Sequence, residues 1–365
     1  MKKQLICLLI CLSCIPNLSA SCQSAGRDSV SVNDGPYIFL VNDTLKVMRI
    51  ENSLLTENYF PPRNLSEIKI SSDQSSDYRE LMKVFSLKPE YCQNYKRVDS
   101  IAAISDVHGQ YKIYLNQLIA NGIIDKNLNW KFGKGHLVVL GDVFDRGGMV
   151  TEILWHLFGL EKQAVKAGGM VHYILGNHEV MVIDQDLRFI NEKYREVEAI
   201  SGINYSDLYS ENSVLGKWLR SRPVMITIND IIFVHGGISP ELVQRNLKID
   251  QVNRLFYEEF AGKELQEAEG NEQLSFLNGN NGPLWYRGYF ADTTFTESKL
   301  DSILGYYKKE HIIVGHTTHK EIQILFNNKV FGIDNGIVYG QPGTLLLYKK
   351  GYFYKCSING VRTKL

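Results

Sequence analysis

From residue 98 onward the chain repeats one pattern, a short unbroken apolar run followed by a polar cluster. The runs fall at 101–104, 137–140, 173–175, 231–234 and 312–314, with helical stretches such as 148–167 between several of them. Such runs, bounded by turn residues, read as buried strands, and their alternation with helices predicts an α/β fold. Upstream the texture differs. Residues 37–41 and 45–50 are strand-like and flank Asn42-Asp43-Thr44, which predicts a hairpin. A polar stretch with Pro61 and Pro62 follows, then a helix over 78–86. Residues 180–222 and 241–280 are long and helix-rich, and are expected to project over the sheet as a cap.

The first 22 residues stand apart. Lys2 and Lys3 precede an apolar stretch from Leu5 to Leu18, and Ser19, Ala20, Ser21 and Cys22 follow. This is the three-part layout of a bacterial export signal, too short and too broken to span a bilayer. Cys22 after small residues also fits a loose lipobox, in which the Cys is acylated and becomes the mature N-terminus; cleavage near Ala20 is the alternative. The expected location is the cell envelope, either periplasmic or anchored to a membrane through Cys22. Residues 23–36, rich in Ser, Asp, Asn and Gly, read as a flexible tether. A β-rich extension over 37–97, a main domain over 98–350 and a C-terminal tail over 351–365 complete the expected organisation.

Composition adds exclusions only. Of 365 residues, 44% are hydrophobic and 22% charged, which suits a globular core and excludes a disordered chain. Lys plus Arg and Asp plus Glu number 40 each, so no electrostatic footprint for nucleic acid is present and no such partner is expected. Cys7, Cys11 and Cys14 fall in the removable segment. The remaining Cys92 and Cys356 lack a CxxC spacing or a neighbouring His, and read as two structural cysteines.

The residues that follow each strand carry the chemistry. They are Ser105-Asp106-Val107-His108-Gly109, then Gly141-Asp142-Val143-Phe144-Asp145-Arg146-Gly147, Gly176-Asn177-His178-Glu179, His235-Gly236-Gly237 and Gly315-His316-Thr317. Ligands of open α/β sheets bind beyond the carboxyl ends of strands, where all five clusters fall. Asp106, His108, Asp142, Asn177, His235 and His316 offer carboxylate, imidazole and amide oxygen without thiolate, a donor set that suits Mn, Fe or Zn. Six donors exceed the needs of one catalytic ion. They suit two ions sharing one carboxylate, an arrangement that clamps both ends of an in-line phosphoryl displacement.

These five clusters resemble the signature of the calcineurin-like metallophosphoesterases, and within them the phosphoprotein phosphatase branch. The branch pattern GDxHG, GDxxDRG, GNHE, HGG and a final His appears here as SDVHG, GDVFDRG, GNHE, VHGG and VGHT, with Ser105 where Gly is usual. Residues 282–288 (GPLWYRG), 186–189 (DLRF) and 218–223 (WLRSRP) are similar to Shewanella-like protein phosphatases. The resemblance implies two central mixed sheets flanked by helices. It further implies two divalent ions, Mn2+ in first place and Fe or Zn otherwise, with Asp106 and His108 on the first, Asp142 bridging, and Asn177, His235 and His316 on the second. A hydroxide between the ions would attack phosphorus in line. His178 would protonate the leaving group with Asp145 orienting it, and Arg146 and Arg287 would clamp phosphoryl oxygens. The implied activity is dephosphorylation of phosphoproteins, phosphotyrosine ahead of phosphoserine and phosphothreonine. Two alternatives stay open: a periplasmic hydrolase of small phosphoesters such as diadenosine tetraphosphate, and an inert envelope binding module. Arg188, Arg220 and Arg222 read as solvated helix charges near the substrate mouth.

Overall fold

The computed structural model describes residues 31–62, 67–71, 74–260 and 272–365. The export signal and Cys22 lie outside them, as does the tether up to residue 30. The described chain begins with a meander shaped by two turns. Asn42 and Asp43, at φ of 46° and 62°, form the left-handed two-residue turn whose twist matches right-twisted strands. It joins β1 (Asp34–Val41) to β2 (Thr44–Glu51). Asn52 and Ser53, at 51° and 63°, repeat the device and lead into β3 (Leu54–Phe60). The sequence had suggested a polar stretch there; β3 is almost wholly exposed and is a strand because β2 offers it a partner. A two-residue ladder, β4 (Ile68–Lys69) with β5 (Ser75–Ser76), and the helix Tyr78–Val84 complete the extension.

Two six-stranded sheets follow. In chain order their strands are β6 (Asn94–Tyr95), β7 (Ser100–Ile104), β8 (His136–Leu140), β9 (Met170–Ile174), β10 (Met225–Ile228) and β11 (Ile231–Val234). Then come β12 (His311–Val314), β13 (Gln323–Leu325), β14 (Val330–Gly332), β15 (Thr344–Lys349), β16 (Tyr352–Ser357) and β17 (Arg362–Lys364). The first sheet runs β17-β16-β15-β7-β8-β9 and the second β13-β14-β12-β11-β10-β6. Both are mixed, with β7, β8 and β9 parallel in one and β11, β12 and β14 parallel in the other. The expected two-sheet architecture is therefore present.

The unbroken apolar runs have a simple cause. Successive side chains on a strand point to opposite faces, and here both faces are covered. Ile101, Ala103, Val138, Leu140, Ile231, Phe233 and Ile313 fill the layer between the sheets. Their neighbours Ala102, Ile104, Leu137 and Val139 face a helical layer on the first sheet's outer side. Ile232, Val234, Ile312 and Val314 do the same for the second.

Three expectations need correction. The 180–222 insert borders the strand ends only around Phe189, whose ring centre lies 5.5 Å from that of His178, and its helices form no cap there. Its helices Glu192–Ser201 and Val214–Arg220 bury Tyr194, Val197, Leu215 and Trp218 in one core with Tyr37, Ile38, Leu45 and Met48 of the meander. Phe39 bridges Ser213, and Leu40 N donates to Asn212 O at 2.8 Å. The described part of the 241–280 insert covers the second sheet's outer side through Leu242, Val252, Phe256 and Leu277. The stretch 351–365 is no tail, since β16 and β17 extend the first sheet and bury Phe353 and Cys356. The main domain is wider than 98–350 at its other end too, because β6 joins the second sheet through β10. Cys92 is exposed, Cys356 is buried, and both are free thiols.

Candidate metal centre

Each sheet contributes to one site through tight turns at its strand ends. Asp106, His108, Asp142, Asp145, Arg146 and His316 all have φ between 41° and 71°, a left-handed backbone that side-chain-bearing residues adopt at a cost. Strained backbone of this kind gathers at functional sites. Glycine allows the turns to touch: a Cβ on Gly176 would collide with Asp142 Oδ1, and one on Gly141 with the Gly176 backbone.

Asp142 stands at the middle. Its Oδ2 lies 3.2 Å from His235 Nε2, 3.7 Å from His108 Nε2 and 3.9 Å from His178 Nε2. Its Oδ1 accepts the His178 backbone N–H at 3.1 Å, which leaves Oδ2 to face the imidazoles. Asn177 Oδ1 sits 3.0 Å from His235 Nε2. Asp106, reached from the first sheet, accepts the His316 backbone N–H at 3.0 and 3.2 Å. All six expected donors are buried and converge.

The donors suit divalent metal ions on three counts. His108 and His235 donate Nδ1–H to the carbonyls of Phe144 and Leu140 at 2.7 and 2.6 Å, so each Nε2 lone pair is turned toward Asp142. His316 Nε2 is buried and has no partner. Two groups of ligand atoms lie within 4.8 Å of one another, His108-Asp142-His178 and Asp142-His235-His316, and they share Asp142. Electrostatics agree with this reading. Burial, then the Asp334 carboxylate, lifts the Asp106 carboxyl well above its ordinary range, a crowding that a cation relieves. At Asp142 burial acts upward too, but His235 and His178 outweigh it and hold the carboxyl well below the usual range.

Beside the donors sits the expected acid–base pair. His178 Nδ1 and Asp145 Oδ2 are 2.5 Å apart, and Asp145 is fully buried. Burial pulls the His178 pKa down, but Asp142 and Asp145 outweigh it and leave it above the ordinary value. The two arginines frame the opening. Arg146 is exposed, with its guanidinium 4.8 Å from the Phe189 ring centre and its backbone held by Phe189 O and the Asn191 side chain. Arg287 reaches from the second-sheet side and donates to His316 O at 2.6 Å and to Thr317 Oγ1 at 3.2 Å. Arg188 is exposed and paired with Asp186, whereas Arg220 donates to Tyr209 O and Gly216 O and Arg222 to Glu161. The last two are therefore structural pegs rather than solvated charges.

Sequence reading left three contributors unassigned. Glu179 accepts four buried backbone N–H groups, from Asp142 (2.8 Å), Val143 (2.7 Å), Phe144 (3.2 Å) and Gly176 (2.6 Å). It binds the turn that carries Asp142 to the turn that carries Asn177. Its place in Gly-Asn-His-Glu was a visible signal. Ser105, the departure from the family pattern, donates its hydroxyl to Asp106 Oδ2 and so touches a donor directly. Asp334 is buried near Asp106, with its carboxylate held by the Thr318 hydroxyl at 2.5 Å. His136 and His172 bond to each other at 2.9 Å under Tyr95.

Known proteins resemble this chain over most of its length. Residues 100–320 match the family model for calcineurin-like phosphoesterases. The chain is 33% identical over 267 residues to Shewanella-like protein phosphatase 1 of Plasmodium berghei (strain Anka), covering 68% of this chain and 71% of that one. It is 25% identical over 331 residues to Shewanella-like protein phosphatase 2 of Arabidopsis thaliana, covering 77% and 80%. The crystal structure of a cold-active protein-tyrosine phosphatase from a psychrophilic Shewanella sp. shares 36% identity at a TM-score of 0.81, covering 91% of this chain and 99% of that one. The chain belongs to the calcineurin-like phosphoesterase family and, within it, to the Shewanella-like protein phosphatases.

Proposed function

We propose that this chain is a metal-dependent protein phosphatase that hydrolyses phosphotyrosyl polypeptides ahead of phosphoseryl and phosphothreonyl ones. The observation that carries it is the single Asp142 oxygen shared by two imidazole groups, with the His178–Asp145 pair beside it. Asp106, His108 and Asp142 would hold one divalent ion, and Asp142, Asn177, His235 and His316 a second, with Mn2+ the proposed metal. Bound ions supply an activated water and neutralise charge on the phosphoryl group.

The chain's own residues do the rest. Arg146 and Arg287, with planar guanidinium forks at the opening, bind and orient phosphoryl oxygens. His178 holds a proton at Nε2 for the departing oxygen, and Asp145 fixes the ring through Nδ1 and favours its charged form. The preference for polypeptides is supported by the exposed arginines and by the helices of the 180–222 insert packing on the meander, while its Phe189 borders the opening beside His178 and Arg146. The tyrosine preference is supported by the 36% identity to a cold-active protein-tyrosine phosphatase. Export and acylation of Cys22, read from residues outside the described ones, complete the proposal. The mass of the mature N-terminal peptide tests that part.

The deciding experiment ranks kcat/KM with Mn2+ over phosphotyrosyl, phosphoseryl and phosphothreonyl peptides, diadenosine tetraphosphate and simple nucleotides. A phosphotyrosyl peptide is expected to lead by about tenfold, which is about 1.4 kcal/mol of transition-state preference. A nucleotide in first place defeats the protein-substrate reading. Replacing His178 by Asn is expected to slow phosphopeptides by roughly 10²–10⁴-fold. It should slow p-nitrophenyl phosphate far less, since that leaving group needs no proton.

A further inference from the structure

The strands that end at the metal centre also have beginnings, and these line a groove. A cleft of about 670 Å³ is walled by residues just before β7 (Lys96, Arg97), by the β10–β11 turn, by Lys308 and Lys309 just before β12, and by Lys350 in the β15–β16 turn. A second cleft of about 280 Å³ shares Asn94, Tyr307, Lys308 and Lys309 with it, so the two form one elongated groove reaching Lys248. The strands between groove and metal centre are four or five residues long, which separates the two by roughly 15 Å. The reacting phosphate therefore cannot be the occupant.

The groove's charge is unbalanced. Lys96, Arg97, Lys308, Lys309 and Lys350 face only Asp99 and Asp230 along the larger cleft. Among the described residues Lys96, Arg97, Lys308 and Lys350, which line one cleft, make no ion pair. Lys309 donates to Asn229 O at 2.6 Å, and burial, with Lys96 adding to it against Asp230, holds its pKa below the ordinary value. Three of these cations also occupy left-handed turn positions where Gly or Asn would be cheaper: Arg97 at φ 60°, Lys308 at 54° and Lys350 at 49°. Convergent, unpaired cations on strained backbone point to an anionic ligand.

The shape selects among anions. The groove's elongation past the edge strand β6 suits an extended chain better than a compact ion. We propose that this groove docks an acidic segment of the polypeptide substrate, several residues removed from the phosphorylated side chain. The proposal rests on the protein-phosphatase reading; the direct separation equals about five extended residues, and the linking stretch is longer because it passes around the sandwich rather than through its core.

The test uses the full chain and a fluorescein-labelled octaglutamate peptide that carries no phosphate. Wild-type protein is expected to bind it in low salt and release it as ionic strength rises. Replacing Arg97, Lys308 and Lys350 together by Gly should weaken binding at least tenfold. The same variant should leave p-nitrophenyl phosphate turnover unchanged and keep or raise Tm, because glycine suits those turns. Lys96→Glu should act in the same direction. If the triple variant binds octaglutamate as wild type does, the residues are turn residues only and the proposal is wrong. It is equally wrong if inorganic phosphate or anionic vesicles bind through these residues and octaglutamate does not. Should octaglutamate bind through the groove while no phosphopeptide is turned over, the docking site stands and the substrate reading falls.

Discussion

At the scale of single residues the site depends on what holds its ligands in awkward positions. A left-handed Asp142 persists only if its surroundings over-determine it, and Glu179 is the principal restraint, with four backbone N–H groups on one carboxylate. Glu179→Gln presents an NH2 to some of those donors and leaves them unsatisfied. We expect a loss of about 3 kcal/mol in stability and of roughly 10–100-fold in metal affinity, read by thermal unfolding and by metal titration. Unaltered metal affinity would mean that the Asp142 turn keeps its shape unaided. Glu179 lay in plain view inside Gly-Asn-His-Glu, yet its role was hidden, because its partners are backbone groups and backbone partners leave no mark on residue identity. Ser105 is the converse. Its departure from the family pattern was readable, while its contact with Asp106 appears only when the turn is folded.

At the scale of elements, strands covered on both faces were legible and one-sided or edge strands were not. The five central runs alternate between two cores, so every position is apolar and the pattern stands out. β3 and β17 are exposed along nearly their whole length and carry no pattern at all; pairing alone makes them strands. The helix Asn177–Ile183 shows how an element is tuned beyond its motif. Its C-terminal neighbour Asp184 is half-buried, and burial lifts its carboxyl from the ordinary 3.8 to about 7 against the pull of Arg220. The folded state thus binds a proton that the unfolded state has lost between these two values. The stabilisation this brings is complete below about pH 4 and gone above about pH 7. Asp184→Asn should therefore raise stability at pH 8, by up to about 3 kcal/mol, and change little at pH 4. Denaturant unfolding at the two pH values checks it; equal effects at both would show that the charge of Asp184 is already well solvated.

At the scale of the whole molecule the donor set is divided between the sheets. Asp106, His108, Asp142 and Asn177 follow strands of the first, and His235 and His316 follow strands of the second. Ions held between them would cross-link the two halves of the sandwich, so that binding free energy would become folding free energy. At a hundredfold excess over the dissociation constant this is about 2.7 kcal/mol. Chelation should then lower Tm by roughly 5 °C or more and abolish turnover, and Mn2+ should restore both. A Tm indifferent to chelator would show that no metal binds the folded chain in preference to the unfolded one.

The sequence by itself determined the chemistry: which donor types are present, that no thiolate joins them, and that each sits one turn beyond a buried strand. These are local properties, carried by residue identity and by short-range hydrophobic pattern, and they survive without knowing which strand lies beside which. Only the tertiary structure decided that Asp142 Oδ2 faces three imidazoles at once, since those rings come from strands of different sheets. It also decided that the helices of the 180–222 insert bed the meander while Phe189 stays beside His178, because their apolar faces match Tyr37, Ile38 and Leu45. Nor could residues 97, 308 and 350 be seen as neighbours from a linear chain. Convergence of this kind is set by strand order and register, which depend on packing between elements far apart in sequence.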